Sequence, residues 1–146
     1  MEIQTKKRLP RYDNLHRTTV SKVFEEEQNY AGVYVLAYMG QVLYVGKAEA
    51  DVSERLNNHM MYSHSRIGIW LRAMQWDWSN VRIDILEPTE QGGNQWIKDA
   101  EIACIKHFLP LFNDYMMPQN SNNDGCDNML LQKHNQESSL IQLSYL

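Results

Sequence analysis

Apolar and polar positions alternate along Gly32–Tyr38 and again along Val42–Val45, within the stretch GVYVLAYMGQVLYVGK. Val33, Val35 and Ala37 fall on one side of a strand and Tyr34, Leu36 and Tyr38 on the other, the period-2 pattern of a half-buried strand. Met39-Gly40-Gln41 interrupts the run, and Gly40 supplies the positive φ that a short hairpin loop needs. The stretch therefore predicts a β-hairpin. A two-residue loop at Met39-Gly40 puts Tyr34 and Tyr44 on opposite faces. A three-residue loop, Met39 to Gln41, pairs Leu36 with Tyr44 and puts both phenols on one face. Val81–Leu86 alternates in the same way and predicts a third strand, stopped by Pro88.

Elsewhere the period is that of a helix. Asp51 with Glu54 three residues later makes a capping-box-like start, and Val52, Leu56 and Met60 form the buried stripe of a helix to about Met60. Ile67, Trp70, Leu71 and Met74 predict a second helix over 65–76. Ile97, Cys104, Ile105 and Phe108 share one face of a third, over about 95–108, with Asn94 as candidate cap and Pro110 as terminator. Upstream, Thr18 or Thr19 caps a short helix, VSKVFEEEQ, while residues 1–17 hold no sustained period and read as irregular. The order of elements is that of an α+β domain over 31–114, preceded by an arm and short helix (1–30). From Tyr115 the chain turns rich in Asn and Asp, and 115–146 reads as a polar linker and tail.

Composition narrows the class. With 43% hydrophobic and 22% charged residues the chain reads as an ordinary soluble globular protein. No apolar run reaches the roughly 18 residues that suggest a membrane span, and the N-terminal stretch lacks the apolar core of a secretory signal. Cys104 and Cys126 make neither a disulfide framework nor a metal spacing, so a cytoplasmic location is expected. The net charge of −4 is unevenly spread, because residues 1–22 carry a balance of +4. That basic arm is either a solvated terminal segment or a set of phosphate contacts.

Some positions stand out for chemistry. Arg55 and His59 are spaced i, i+4, so a cation and an imidazole share one helix edge just past the hairpin. Taken singly, both are more often plain surface residues. Glu101 falls inside the apolar stripe of the last helix. A carboxylate there is either paired or metal-bound, or it reaches water from the stripe's rim. Tyr34 and Tyr44 on one face are either core or the lining of a site.

GVY and YVG, with ten residues from Tyr to Tyr and Lys47 following, resemble the two-part signature of the GIY-YIG nuclease family. That family includes the N-terminal nuclease domain of the bacterial excision-repair enzyme, some homing endonucleases and a few restriction enzymes. The resemblance continues in order through Arg55, His59, Glu101 and the Pro110-Leu-Phe-Asn113 turn, and so covers about residues 31–114. It implies a small three-stranded, mainly antiparallel sheet flanked by helices, and a metal-dependent endonuclease acting on DNA, with RNA as a possible substrate. It also implies roles. Glu101 holds Mg²⁺ or Mn²⁺, Arg55 and Lys47 bind the substrate phosphate, and Tyr34 or Tyr44 activates the attacking water, Tyr34 being favoured. His59 or Lys47 assists the phenol, Asn113 fixes the geometry, and Gly32 and Gly46 meet backbone requirements. The loop after Lys47 is acidic (Glu49, Asp51, Glu54), and no separate DNA-binding domain is evident. These departures keep open an alternative: a nuclease-fold module that binds DNA or protein and needs a partner, or a second copy, for targeting.

Overall fold

The structure, a computed structural model, describes residues 11–89 and 94–113. The expected basic segment 1–10 and the tail 115–146 lie outside the described residues. Nine elements follow in chain order: β1 (Tyr12–Thr19), α1 (Val20–Glu25), β2 (Gly32–Tyr38), β3 (Gln41–Ala48), α2 (Val52–Tyr62), α3 (Arg66–Met74), a 3₁₀ helix (Gln75–Asn80), β4 (Arg82–Pro88) and α4 (Asn94–Phe108). The architecture is α+β, as the sequence predicts, but the sheet has four strands rather than three, in the order β1-β4-β2-β3, and every pairing is antiparallel.

The added strand is β1, in the segment that reads as irregular from sequence. It pairs with β4 from Tyr12↔Pro88 to Thr19↔Arg82, with a bulge near its start. Its side chains are half-buried or exposed in no regular order, so no apolar period marks it. What makes it a strand is a partner some seventy residues away. Thr19 then caps α1, its hydroxyl accepting from the Lys22 N–H at 3.3 Å.

The hairpin resolves the register question by a route of its own. Tyr38 pairs with Gln41, so the loop is the two-residue one, Met39-Gly40, with both residues at positive φ (51° and 77°). That is the combination a type I′ turn requires. A bulge then shifts the register between Leu36 and Ala37, and Leu36 faces Tyr44 after all. The two phenols consequently share a face.

β2 is central and buried on both sides, not half-buried, with Gly32 to Ala37 all inaccessible. One face carries Tyr34, Leu36, Ile83 and Ile85 beneath α1, α2 and α3, joined by Val23, Leu56, Ile67 and Leu71. The other carries Val33, Val35, Val45 and Leu86 against Ile97, Ala100, Cys104, Ile105 and Phe108 of α4. At roughly 1.5–3 kcal/mol per fully buried aliphatic side chain, a one-residue slip of β2 costs more than the fold can bear, so the register is firm.

The expected helix 65–76 stops at Met74 and tightens into the 3₁₀ turn. Asp51 caps α2 as expected, accepting from the Ser53 N–H at 3.1 Å, and Asn94 is the first described residue of α4. β3 is an open edge of the sheet, and the segment after α4 covers part of it. The N–H groups of Leu111 and Phe112 donate to the carbonyls of Val42 (3.3 Å) and Leu43 (2.8 Å). Among the described residues no helix is long and apolar enough to cross a membrane.

Candidate active site

The residues singled out by the sequence converge on one end of β3 from both faces of the sheet. Tyr34 comes from the first strand of the hairpin and pairs directly with Gly46. Its phenol lies across Gly46: a Cβ built there would stand 2.4 Å from both Cζ and Oη of Tyr34, and 2.8 Å from Tyr44 Cε2. Only glycine leaves that passage open. Gly32 answers a different need, since a Cβ at its φ of 148° would lie 2.0 Å from the Leu86 carbonyl oxygen, where β2 runs close to β4.

The Tyr34 and Tyr44 rings are 6.2 Å apart, and the edge of His59 meets Tyr44 at 5.3 Å. All three side chains are buried on the α1–α3 face. The expected pairing of Arg55 and His59 on one helix edge is thus uneven: His59 points inward and Arg55 is exposed. Neither ring nitrogen of His59 has a hydrogen-bond partner among the described residues. Burial, reinforced by the charge of Arg55, lowers its pKa to about 4, so the imidazole is neutral at pH 7.

Glu101 belongs to the opposite face, on α4, together with Lys47, which pairs with Val33 of that face's core. Glu101 is 8% exposed, which settles the question left by its apolar stripe: the residue is buried rather than extended into solvent. Burial raises its pKa, and the charges of Lys47 and then Arg55 oppose that rise. Two cations on different elements therefore act on one buried carboxylate. Cys104, one turn on, is pushed up to about 12 by burial and by Glu101, so it stays a thiol and takes no part.

Arg55 links the two halves. It lowers the proton affinity of His59 on one face and of Glu101 on the other. Beside it lies a cleft of about 240 Å³, lined by Lys47, Ala48, Glu49, Ala50, Asp51, Glu54 and Arg55. Glu101 and the tyrosines stand behind this opening rather than in its lining. Asn113 is 0% exposed and touches no phosphate path; its amide bridges the Val45 N–H and carbonyl on the edge of β3. These two hydrogen bonds tie the segment after α4 to β3.

One buried carboxylate escaped the sequence reading. Asp84 of β4 is 0% exposed, opposite Val35 and Arg17, with Arg82 Nη2 at 3.6 Å and Arg17 Nε at 3.9 Å. Burial outweighs both arginines and raises its pKa to about 6. The signal was present: Asp84 is in phase with Leu86, on the face that α4 buries. It lies on β4, two strands in from the β3 edge.

Comparison with known proteins gives no support from relatives: no family model matches the chain, and no curated protein or solved structure matches it.

Proposed function

We propose that this chain is a metal-dependent endonuclease of the GIY-YIG type, hydrolysing phosphodiester bonds in DNA. The observation that carries the reading is the meeting of Arg55, Lys47 and the buried Glu101 carboxylate at the end of β3, with the Tyr34 phenol laid across Gly46 behind them.

The donor chemistry fits Mg²⁺ or Mn²⁺. Glu101 is a hard oxygen donor whose charged form is penalised by burial and gains from a nearby dication. Among the described residues no three His, Cys, Asp or Glu side chains group around a common point. Glu101 would then be the carboxylate that holds the ion, with water and phosphate oxygens as further ligands, as Mg²⁺ tolerates. Bound there, the ion supplies charge neutralisation at the phosphate and the leaving oxygen.

The protein's own groups do the rest. The Arg55 guanidinium grips the scissile phosphate through paired N–H donors, and Lys47 adds a second positive charge. Tyr34 in its phenolate form, the phenol proton having been lost beforehand, takes the proton of the attacking water as the new P–O bond forms and the ester bond to the leaving oxygen breaks. A phenol with an ordinary pKa of about 10 needs positive surroundings for this, and Arg55, whose charge also acts on His59 of that face, supplies them. His59, being neutral, can accept a proton but adds no charge of its own. Asn113 keeps β3 in place.

The test is cleavage of plasmid, linear, single-stranded and branched DNA with Mg²⁺ or Mn²⁺ at low salt, with Glu101→Ala and Arg55→Ala beside the wild type. Metal-dependent cutting that falls by roughly 10²-fold or more in each folded variant supports the enzyme. A folded wild type that binds DNA and cuts nothing supports instead a binding module. Glu49, Asp51 and Glu54 around the same cleft repel a phosphate backbone, which favours a module that docks a protein partner there.

A further inference from the structure

Residues 55–76, running from within α2 through α3 into the start of the 3₁₀ helix, contain Arg55, Arg66 and Arg72, two histidines and no carboxylate, with Glu54 and Asp77 at the two ends, in a chain of net charge −4. The same segment holds the most exposed aromatic side chains recorded for the fold: Trp76 is 91% exposed and Tyr62 75%. Tryptophan is on average among the more buried residues, so an indole left in solvent is informative. Ile69 and Met61 are also more than half exposed.

These side chains are organised. Arg55 and Tyr62 are spaced i, i+7 on α2 and so share a face, about 10 Å apart along the axis at 1.5 Å per residue. Arg72 of α3 donates through Nη1 to the carbonyls of Met60 (2.5 Å) and Ser63 (3.2 Å), which fixes α3 against the C-terminal end of α2, beside Met61 and Tyr62. Ile69 and Arg72 follow at i and i+3 on α3, and Trp76 stands just past its end, in the 3₁₀ turn. The Arg66 guanidinium rests over the Phe112 ring at 5.2 Å, beside the edge of β3. The surface starts at Arg55, in the cleft, and leads away from it along the α2–α3 hairpin.

We infer that this α2–α3 face is the docking surface for an unpaired DNA strand leaving the cleft, with Arg55, Arg66 and Arg72 beside its phosphates and Tyr62 and Trp76 stacking on its bases. The inference rests on the nuclease reading and narrows the substrate to single-stranded or flapped DNA. A run of arginines with carboxylates only at its two ends, Glu54 and Asp77, matches the phosphate backbone, and flat aromatics in solvent match the faces of unstacked bases. Paired bases in a duplex offer no such faces. A second protein, or a second copy of this chain, would be matched by the apolar side chains but not by the run of arginines.

The experiment is fluorescence anisotropy of labelled DNA with the full chain in EDTA, so that binding is read without cutting. Single-stranded, flapped and blunt duplex forms of one sequence are compared for wild type, Trp76→Ala, Trp76→Phe and Tyr62→Ala. Both positions are exposed, so these variants should fold. Wild type should prefer the single-stranded and flapped forms. Trp76→Ala should weaken those two by about tenfold, Tyr62→Ala by a similar factor, and neither should alter duplex binding. Trp76→Phe should bind close to wild type. Equal affinities of Trp76→Ala and wild type for every form would overturn the inference. So would a uniform loss that includes duplex, or a dimer in gel filtration that Trp76→Ala converts to monomer. The parent reading fails separately: cutting abolished by Glu101→Ala while Trp76→Ala binds normally keeps the enzyme and removes this surface, and the reverse pattern keeps the surface and removes the enzyme.

Discussion

Asn113 and Val45 form a closed pair across the edge of the sheet. The Val45 N–H donates to Asn113 Oδ1 at 2.8 Å, and Asn113 Nδ2 donates to the Val45 carbonyl at 2.9 Å, so one side chain stands in for a neighbouring strand. The residue is 0% exposed, and water is not available as a substitute. Asn113→Ala should therefore leave a buried donor and a buried acceptor unmade, at a cost of about 2–4 kcal/mol. Asn113→Asp keeps the acceptor and sets a carboxylate oxygen against the Val45 carbonyl, so it should be no better. Urea denaturation checks both, and a loss under about 0.5 kcal/mol would show that the pair is incidental.

Gly46 sets a second limit. A methyl group there meets the Tyr34 ring at 2.4 Å, far inside any tolerated contact. Tyr34 is fully buried and cannot swing into solvent without opening the core. Gly46→Ala should cost roughly 1–3 kcal/mol through overpacking and should also depress cleavage by displacing the phenol. The comparison is Gly40→Ala, in the exposed turn at φ 77°, which carries only a backbone penalty of about 1 kcal/mol and should cut DNA normally. Equal cleavage by both variants would mean that the position of the Tyr34 ring is irrelevant to activity.

Much of this was legible in the sequence, because the informative features are local. The Asp51 cap needs only its neighbours, and so does the stripe of α4 that carries Glu101. What was not legible depends on distant parts of the chain. β1 exists because β4 pairs with it, and Asp84 is buried because its face of the sheet is the one α4 covers. The turn was hidden for another reason. Met39 sits at a φ of 51°, where the expected residues are Asn, Asp or Gly, so the sequence gives no notice of a type I′ loop. Two departures, the shorter loop and the bulge, offset each other, and the face shared by Tyr34 and Tyr44 came out as the three-residue loop predicts. The division of the site across the two faces, with Arg55 between them, could not be read from spacing, since it depends on which face each helix packs against.

Two buried groups should give opposing pH dependences over the same range. The unfolded chain protonates His59 below 6.5 and the fold does so only near 4, so stability is gained as pH rises from about 4 to 6.5. The fold keeps the Asp84 proton to about 6 while the unfolded chain releases it at 3.8, so stability is lost as pH rises from 3.8 to about 6. Each effect is on the order of 3 kcal/mol, and the two offset each other in the wild type. Glu101, whose pKa is also raised, adds to the falling side. Asp84→Asn should unmask a rise in stability between pH 4 and 6.5, and His59→Gln a fall between pH 4 and 6. Chemical denaturation of the three proteins across this range is the check, and parallel profiles would contradict the assignment.

The two tyrosines should separate by function. Tyr44 is packed edge-on against the neutral His59, whereas the Tyr34 phenol lies across Gly46, the residue before Lys47 in β3. If Tyr34 takes the proton from the attacking water, Tyr34→Phe removes the acceptor and keeps the ring, the packing and the fold. Cleavage should fall roughly 10²–10⁴-fold with little change in DNA affinity. Tyr44→Phe also keeps its ring against His59 and should retain most of the activity. The pH–rate profile adds an independent reading. Wild-type kcat should rise with pH as the phenol ionises, and that limb should disappear in Tyr34→Phe while surviving in Tyr44→Phe. A Tyr34→Phe enzyme that keeps both its rate and its rising limb would transfer the base to Tyr44 or to a solvent hydroxide, and would reduce Tyr34 to a packing residue that happens to need a glycine opposite it.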